Sequence, residues 1–136
     1  MNSEDLKKIL PHRAPMLLLD EAEIIGDEVA ASYTVTGDEF FLQGHFPGSP
    51  VVPGVILCEM MGQASCLLIK DAGSGAAVYL TGMDGVRFKN KVSTGDKIVF
   101  KSQMVKARPP YYFFKSEGFV QDKLCVSGEL ALALIE

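Results

Sequence analysis

Two side chains carry the chemistry this sequence can offer. His45 stands in the run Gly44-His45-Phe46-Pro47-Gly48-Ser49-Pro50-Val51-Val52-Pro53-Gly54, and Glu59 follows just beyond it in an apolar segment. An imidazole titrates near neutrality and can take or give a proton. The flanking Gly44, Gly48, Pro47, Pro50 and Pro53 restrict this backbone, and a rigid loop holds a reacting group within the tolerances that proximity effects need. The competing reading is a structural loop histidine. Glu59 is flanked by Leu57, Cys58, Met60 and Met61, so lost hydration is expected to favour its neutral form and raise its pKa toward a value useful for proton donation. Its alternative is a carboxylate that hydrogen-bonds a loop backbone. Gln63 lies one turn further on the same helix face.

A third element is the helix start. Val51 and Val52 offer no side-chain oxygen as a cap, so the Gly54 and Val55 amides are free to bind an acyl oxygen, or else bond to water or a neighbouring loop. A base, an acid and two amides suit removal of a proton α to a thioester carbonyl while a β-hydroxyl leaves. No serine or cysteine elbow adjoins His45, and neither a dinucleotide-binding glycine motif nor a Walker loop is present. A metal site is disfavoured because His45 and Glu59 have no third spaced ligand; no cofactor is expected. His12, in the polar segment Pro11-His12-Arg13, reads as a structural loop residue.

The elements that position these groups follow from pattern. Ser3 to Ile9 suits a short helix ended by Pro11. Met16 to Ile25 and Val29 to Val35 read as strands joined by a turn at Gly26-Asp27-Glu28, and 38–52 as loop. Pro53 pre-sets the first turn of one long helix, Val55 to Lys70, apolar almost all round and therefore buried on most sides. Gly73-Ser74-Gly75 closes it. Val78 to Phe88, Lys97 to Lys106, Tyr111 to Val120 and Lys123 to Ile135 have strand texture. An antiparallel sheet curling round one central helix satisfies this order, an α+β architecture in a single domain over 1–136.

The 136 residues are 48% hydrophobic, more than a small monomer easily hides, which points to a homo-oligomer. The N-terminal segment is polar, and the longest apolar stretch contains Glu59 and Gln63, so neither a signal peptide nor a membrane span is expected. Cys58, Cys66 and Cys125, an odd count in apolar contexts, read as reduced thiols of a cytoplasmic protein. The net charge of −4 hides an asymmetry: no lysine or arginine occurs from Ala14 to Ile69, while Arg87, Lys89, Lys91, Lys97, Lys101, Lys106 and Arg108 crowd a segment whose one acid is Asp96. That strip is either a dock for an anionic partner or a solvated sheet face. Nucleic acid is a poor candidate for an acidic chain lacking a recognised motif.

In order along the chain, Leu10-Pro11-His12-Arg13, Phe41-Leu42-Gln43-Gly44-His45-Phe46-Pro47-Gly48, Pro53-Gly54-Val55 with Glu59 and Gln63, and Gly82-Met83-Asp84 running into Arg87-Phe88-Lys89 resemble the (3R)-hydroxyacyl-acyl-carrier-protein dehydratases of bacterial type II fatty-acid synthesis. The likeness covers nearly the whole length. It implies a hot-dog fold and a dimer, often assembled as a trimer of dimers, in which His45 of one chain faces Glu59 of the other. It further implies that His45 takes the α-proton, Glu59 protonates the departing hydroxyl, and the Gly54 amide, with Val55, holds the thioester carbonyl. Phe46, Gln63, Tyr79 and Phe88 would line an acyl tunnel, with Tyr79 near a gating position. Arg87, Lys89 and Lys91 would meet an acidic acyl carrier protein bearing a 3-hydroxyacyl-phosphopantetheine. Related dehydratase-isomerases carry aspartate where this chain has Glu59, which implies dehydration without isomerisation. The segment Lys106 to Tyr112 departs from the family's basic, glycine-containing turn, leaving chain length and pathway open. A hot-dog thioesterase and a non-catalytic carrier-binding subunit remain the alternatives.

Overall fold

The computed structural model describes residues 1–135. Helix α1 (Ser3–Leu6) opens the chain under an Asn2 capping box, and strands β1 (Glu21–Ile25) and β2 (Glu28–Thr34) form the first hairpin. A 3-10 turn at Phe40–Leu42 precedes the His45 loop and helix α2 (Gly54–Cys66). Strands β3 (Ala77–Phe88), β4 (Lys97–Arg108), β5 (Tyr111–Val120) and β6 (Lys123–Ile135) complete a six-stranded antiparallel sheet in the order β1-β2-β4-β5-β6-β3. This is the expected hot-dog arrangement. Irregular register at Leu80/Gly82, Asp84/Arg87, Met104/Lys106 and Gly118/Phe119 lets the long strands bend round the helix.

The apolar inner face of the sheet and α2 bury each other. Met60 and Met61 of α2 and Phe100 and Phe114 of β4 and β5 are fully buried. Each such side chain contributes roughly 1.5–3 kcal/mol relative to exposure. Polar ties then fix how α2 sits. Ser65 Oγ donates to Ser102 Oγ at 3.1 Å, and Ser102 and Ser116 share a hydrogen bond of 2.7 Å, joining helix to two strands through the core.

Helix α1 ends at Leu6 rather than Ile9, and two further element boundaries differ from expectation. Met16–Asp20 is not strand: Gln63 of α2 reaches across to accept from the Leu18 amide (3.0 Å) and donate to the Met16 carbonyl (2.8 Å), so these backbone groups serve the helix rather than a ladder. Helix α2 stops at Cys66 rather than Lys70. Leu67, Leu68 and Ile69 instead donate three residues back, to Ala64, Ser65 and Cys66, tightening the last turn while Leu67 and Ile69 remain buried. All three cysteines are free and buried, and burial raises each thiol's pKa, that of Cys66 to about 12.

The approach to the His45 loop is anchored at Glu39. Its carboxylate accepts from the Tyr33 hydroxyl (2.6 Å) and from the Thr36 and Gly37 amides (2.9 and 2.8 Å). Burial opposes ionisation here, yet those donors hold the carboxyl down at about 2, from an ordinary 4.5. A depressed carboxylate stabilises the fold above its unfolded pKa, and that contribution is lost as pH falls from about 4.5 toward about 2. Glu39→Gln is therefore expected to cost about 1–2 kcal/mol at neutral pH, discounted for the partial solvation of the group. Urea unfolding at pH 7 should show this cost, and the gap from wild type should shrink as the pH is lowered through the acid range.

Candidate active site

The His45 loop is closed by its own backbone. His45 N–H donates to the Leu42 carbonyl, Val51 N–H returns to the His45 carbonyl at 2.9 Å, and Val52 N–H bonds the Val92 carbonyl at 2.8 Å. Gly44 and Gly48 adopt φ of +82° and +76°, conformations that side-chain-bearing residues rarely take, which is why this turn needs glycine at both places. The ring itself is oriented by Nδ1, 2.9 Å from the Val51 carbonyl oxygen. A carbonyl only accepts, so Nδ1 carries the hydrogen and Nε2 of the neutral ring is left as the basic nitrogen. Phe46, largely exposed, stacks on the imidazole with centroids 4.3 Å apart.

Around this ring lies a groove of about 490 Å³ lined by His45, Val51, Gly54, Phe88, Lys89 and Lys91 among others. Pro53 is the N-cap of α2 and supplies no side-chain cap, and neither the Gly54 nor the Val55 amide donates to a backbone acceptor among the described residues. A Cβ at Gly54 would meet the Phe88 ring at 2.9 Å, so the helix start and that ring touch only because residue 54 is glycine. Val55 is 75% exposed and stands outside the lining of the groove.

Glu59 occupies a different cavity, about 210 Å³, lined by His12, Cys58, Glu59, Gln63, Tyr79 and neighbours from α2, β3 and β6. The two cavities share no lining residue. They flank opposite ends of β3: Val78–Leu80 border the Glu59 cavity, while Phe88 borders the His45 groove. Along α2 the two cavities are neighbours, Leu57 bordering the His45 groove and Cys58 the Glu59 cavity, but among the described residues no hydrogen bond or ion pair joins His45 to Glu59 within one chain. Strand β3 is also an edge of the sheet, with Tyr79, Leu80, Met83 and Phe88 exposed.

Within its cavity Glu59 Oε2 accepts from Gln63 Nε2 at 2.9 Å and lies 3.4 Å from His12 Nε2. Gln63 is almost fully buried, and its amide is occupied by Leu18, Met16 and Glu59, so it holds the carboxylate in place besides lining the cavity. The expected rise in the Glu59 pKa is overturned. The hydrogen bond from His12 pulls it down, burial pushes it up, and the Gln63 bond with the imidazole charge adds to the pull, leaving the carboxyl below its ordinary value. Apolar sequence neighbours report only the desolvation, whereas His12 arrives from a distant segment. His12, expected as a structural loop residue, lies in the loop after α1 and brings its ring against Glu59, a contact that the segment Pro11-His12-Arg13 does not announce.

The basic strip divides on folding. Lys89 and Lys91 edge the His45 groove and Arg87 is exposed on β3, whereas Lys97 pairs with Glu21 at 3.2 Å and Lys101 and Lys106 lie over the rings of Phe119 and Phe113. Among the described residues no cluster of three or more histidine, cysteine or acidic side chains could hold a metal ion, and no helix is long and apolar enough to cross a membrane.

Comparison with known proteins places these features in context. Residues 10–129 match the model of a family described as FabA-like domain. The chain is 40% identical over 137 aligned positions to the 3-hydroxyacyl-[acyl-carrier-protein] dehydratase FabZ of Lactococcus lactis subsp. cremoris, covering 98% of this chain and 95% of that one. Among solved structures, the dehydratase heterocomplex ApeI:P from Xenorhabdus doucetiae superposes with a TM-score of 0.83 at 22% identity, over 96% of this chain and 91% of that one. A hypothetical thioesterase with coenzyme A from Streptococcus pneumoniae gives 0.65 at 14% identity, over 84% of each chain, which is likeness of fold.

Proposed function

The chain belongs to the FabA-like domain family, and from that premise we infer that it is a 3-hydroxyacyl-[acyl-carrier-protein] dehydratase, a hydro-lyase of fatty-acid biosynthesis acting in the cytoplasm. The substrate is a (3R)-3-hydroxyacyl group on the phosphopantetheine of an acyl carrier protein, and the products are the trans-2-enoyl thioester and water. The mechanistic reading is carried by a histidine with a defined basic nitrogen and a carboxylate whose cavities border opposite ends of one exposed edge strand.

Two copies pairing antiparallel along β3 about a two-fold axis would lay the start of one strand against the end of the other. The Glu59 cavity of each copy would then meet the His45 groove of its partner, and the exposed apolar edge would be covered. The assembly is a homodimer, or a trimer of such dimers. In the completed site Nε2 of His45 takes the α-proton, the Gly54 amide with that of Val55 stabilises the charge gathering on the thioester oxygen, and Glu59 protonates the leaving hydroxyl. Phe46, Tyr79 and Phe88 flank the acyl chain. A glutamate at position 59, as opposed to aspartate, goes with dehydration alone.

Lys89 and Lys91 at the groove mouth, with Arg87 beside them, receive the acidic carrier protein. Charge at the rim acts mainly on encounter and weakens with salt. Replacing Lys89 and Lys91 together with glutamate is expected to raise KM for carrier-bound substrate about tenfold at low salt, with kcat little changed. KM for a short thioester lacking the carrier protein should not move.

The direct test of the reaction follows enoyl-thioester absorbance from (3R)-hydroxybutyryl carrier protein, with free thiol monitored in parallel. Enoyl formation without thiol release supports dehydration. Thiol release from an acyl thioester lacking the β-hydroxyl would identify a thioesterase, and tight carrier binding with no turnover at any chain length a non-catalytic subunit.

A further inference from the structure

Dehydration poses a problem that the Glu59 cavity answers. The hydroxyl leaves as water only if it receives a proton, yet Glu59 is held toward its ionised form by the imidazole beside it. The proton must then reach the carboxylate from a second group at the moment it is needed. We propose that His12 stores that proton, so that His12 and Glu59 act as a one-proton pair, with His12 as the positioning residue behind the acid. This rests on the assignment of Glu59 as the acid.

Three features of the cavity support the pair. His12 Nε2 is 3.4 Å from Glu59 Oε2, within reach of transfer after a small closure. His12 Nδ1 is buried and has no hydrogen-bond partner among the described residues, in contrast to Nδ1 of His45, which is fixed by a carbonyl. The contact with the carboxylate is thus the one polar tie of this ring among the described residues. Gln63, bonded to the same carboxylate oxygen and to the Met16 and Leu18 backbone, keeps that contact in register.

The surroundings leave this proton to the pair. Arg13, next in sequence, turns its guanidinium to the carbonyls of Leu10, His12 and Lys7. From α2 the cavity receives the Cys58 and Cys66 thiols, which burial keeps neutral; from β3 it receives the Tyr79 phenol, and from β6 only Leu132. As substrate and a second chain cover the cavity, water leaves, and the separated charges of imidazolium and carboxylate lose ground to the neutral imidazole and carboxylic acid. The acid form thus develops where the hydroxyl sits.

In the proposed sequence the Cα–H electrons form the C=C bond while His45 Nε2 takes the proton. His12 Nε2–H passes its proton to Glu59 Oε2, the Cβ–O bond breaks with its electrons toward oxygen, and Glu59 gives that same proton to the oxygen, so that water leaves and the pair is left as carboxylate and neutral ring with no stored proton. The excess proton on His45 returns to His12 through solvent.

The test compares His12→Gln, which keeps an N–H donor but no transferable proton, with His12→Ala and Glu59→Gln, using the full chain and (3R)-hydroxybutyryl carrier protein across pH. For His12→Gln we expect kcat to fall at least about tenfold, approaching a hundredfold, with KM within about twofold. The alkaline limb of its kcat profile should move to lower pH by about one unit or more, because a lone carboxyl must now hold the proton. Added imidazole should restore part of the activity of His12→Ala. If His12→Gln keeps the wild-type kcat and alkaline limb, His12 merely packs against the site and the inference falls. If Glu59→Gln itself retains turnover, the acid assignment fails first and takes the inference with it.

Discussion

His45→Ala is expected to lower kcat by roughly 10²–10⁴-fold while leaving the fold and the oligomeric state unchanged. The size follows from the role. His45 is half-buried in a loop whose closure is carried by backbone bonds among Leu42, His45, Phe46, Ser49 and Val51, so removing the ring deletes the Nδ1 tie to Val51 and the stack with Phe46 but no backbone bond. Circular dichroism and sedimentation should match wild type. An alanine chain with near-normal turnover would remove His45 from the mechanism.

Glu59→Gln is expected to lose a similar factor, roughly 10²–10⁴-fold in kcat, again with little change in KM. The amide is isosteric and still accepts from Gln63 through its oxygen, so the cavity keeps its shape and loses the transferable proton and the charge that faces His12. A merely structural carboxylate would behave in the opposite way, with turnover preserved. The two substitutions together should cost little more than either alone, because groups that act as a unit are not additive.

Much of this architecture was legible in the sequence because its signals are local. Alternating or β-rich runs bounded by Gly26-Asp27, Arg108-Pro109-Pro110 and Gln121-Asp122 marked five of the six strands within a few residues, and an apolar run behind Pro53 marked α2. What sequence reading missed depends on contacts between distant segments. Met16–Asp20 has strand composition but gives its backbone groups to Gln63, and no pattern announces such a claim by a helix. The serine chain across the core looks, in sequence, like three unrelated polar residues. Helix α2 ends early because Leu67–Ile69 tighten into three-residue bonds, a choice made by packing rather than by a glycine or proline stop.

The site divides in the same way. His45 was conspicuous because glycine and proline frame it, and Glu59 because it interrupts an apolar run. The electrostatics of Glu59 were misjudged, since its apolar neighbours predicted a raised pKa and the imidazole of His12, folded in from the first loop, reverses the direction. That His45 and Glu59 border different cavities, each also touching one end of the edge strand β3, is equally a property of topology.

In the proposed dimer each site takes its histidine from one chain and its glutamate from another. Mixing His45→Ala chains with Glu59→Gln chains, exchanging subunits and measuring enoyl-thioester formation tests it directly. Random two-fold pairing leaves one intact site in each mixed dimer, so an equal mixture of two inactive variants should recover about a quarter of wild-type activity. Mixed dimers demonstrated by mass spectrometry yet inactive would contradict the shared site.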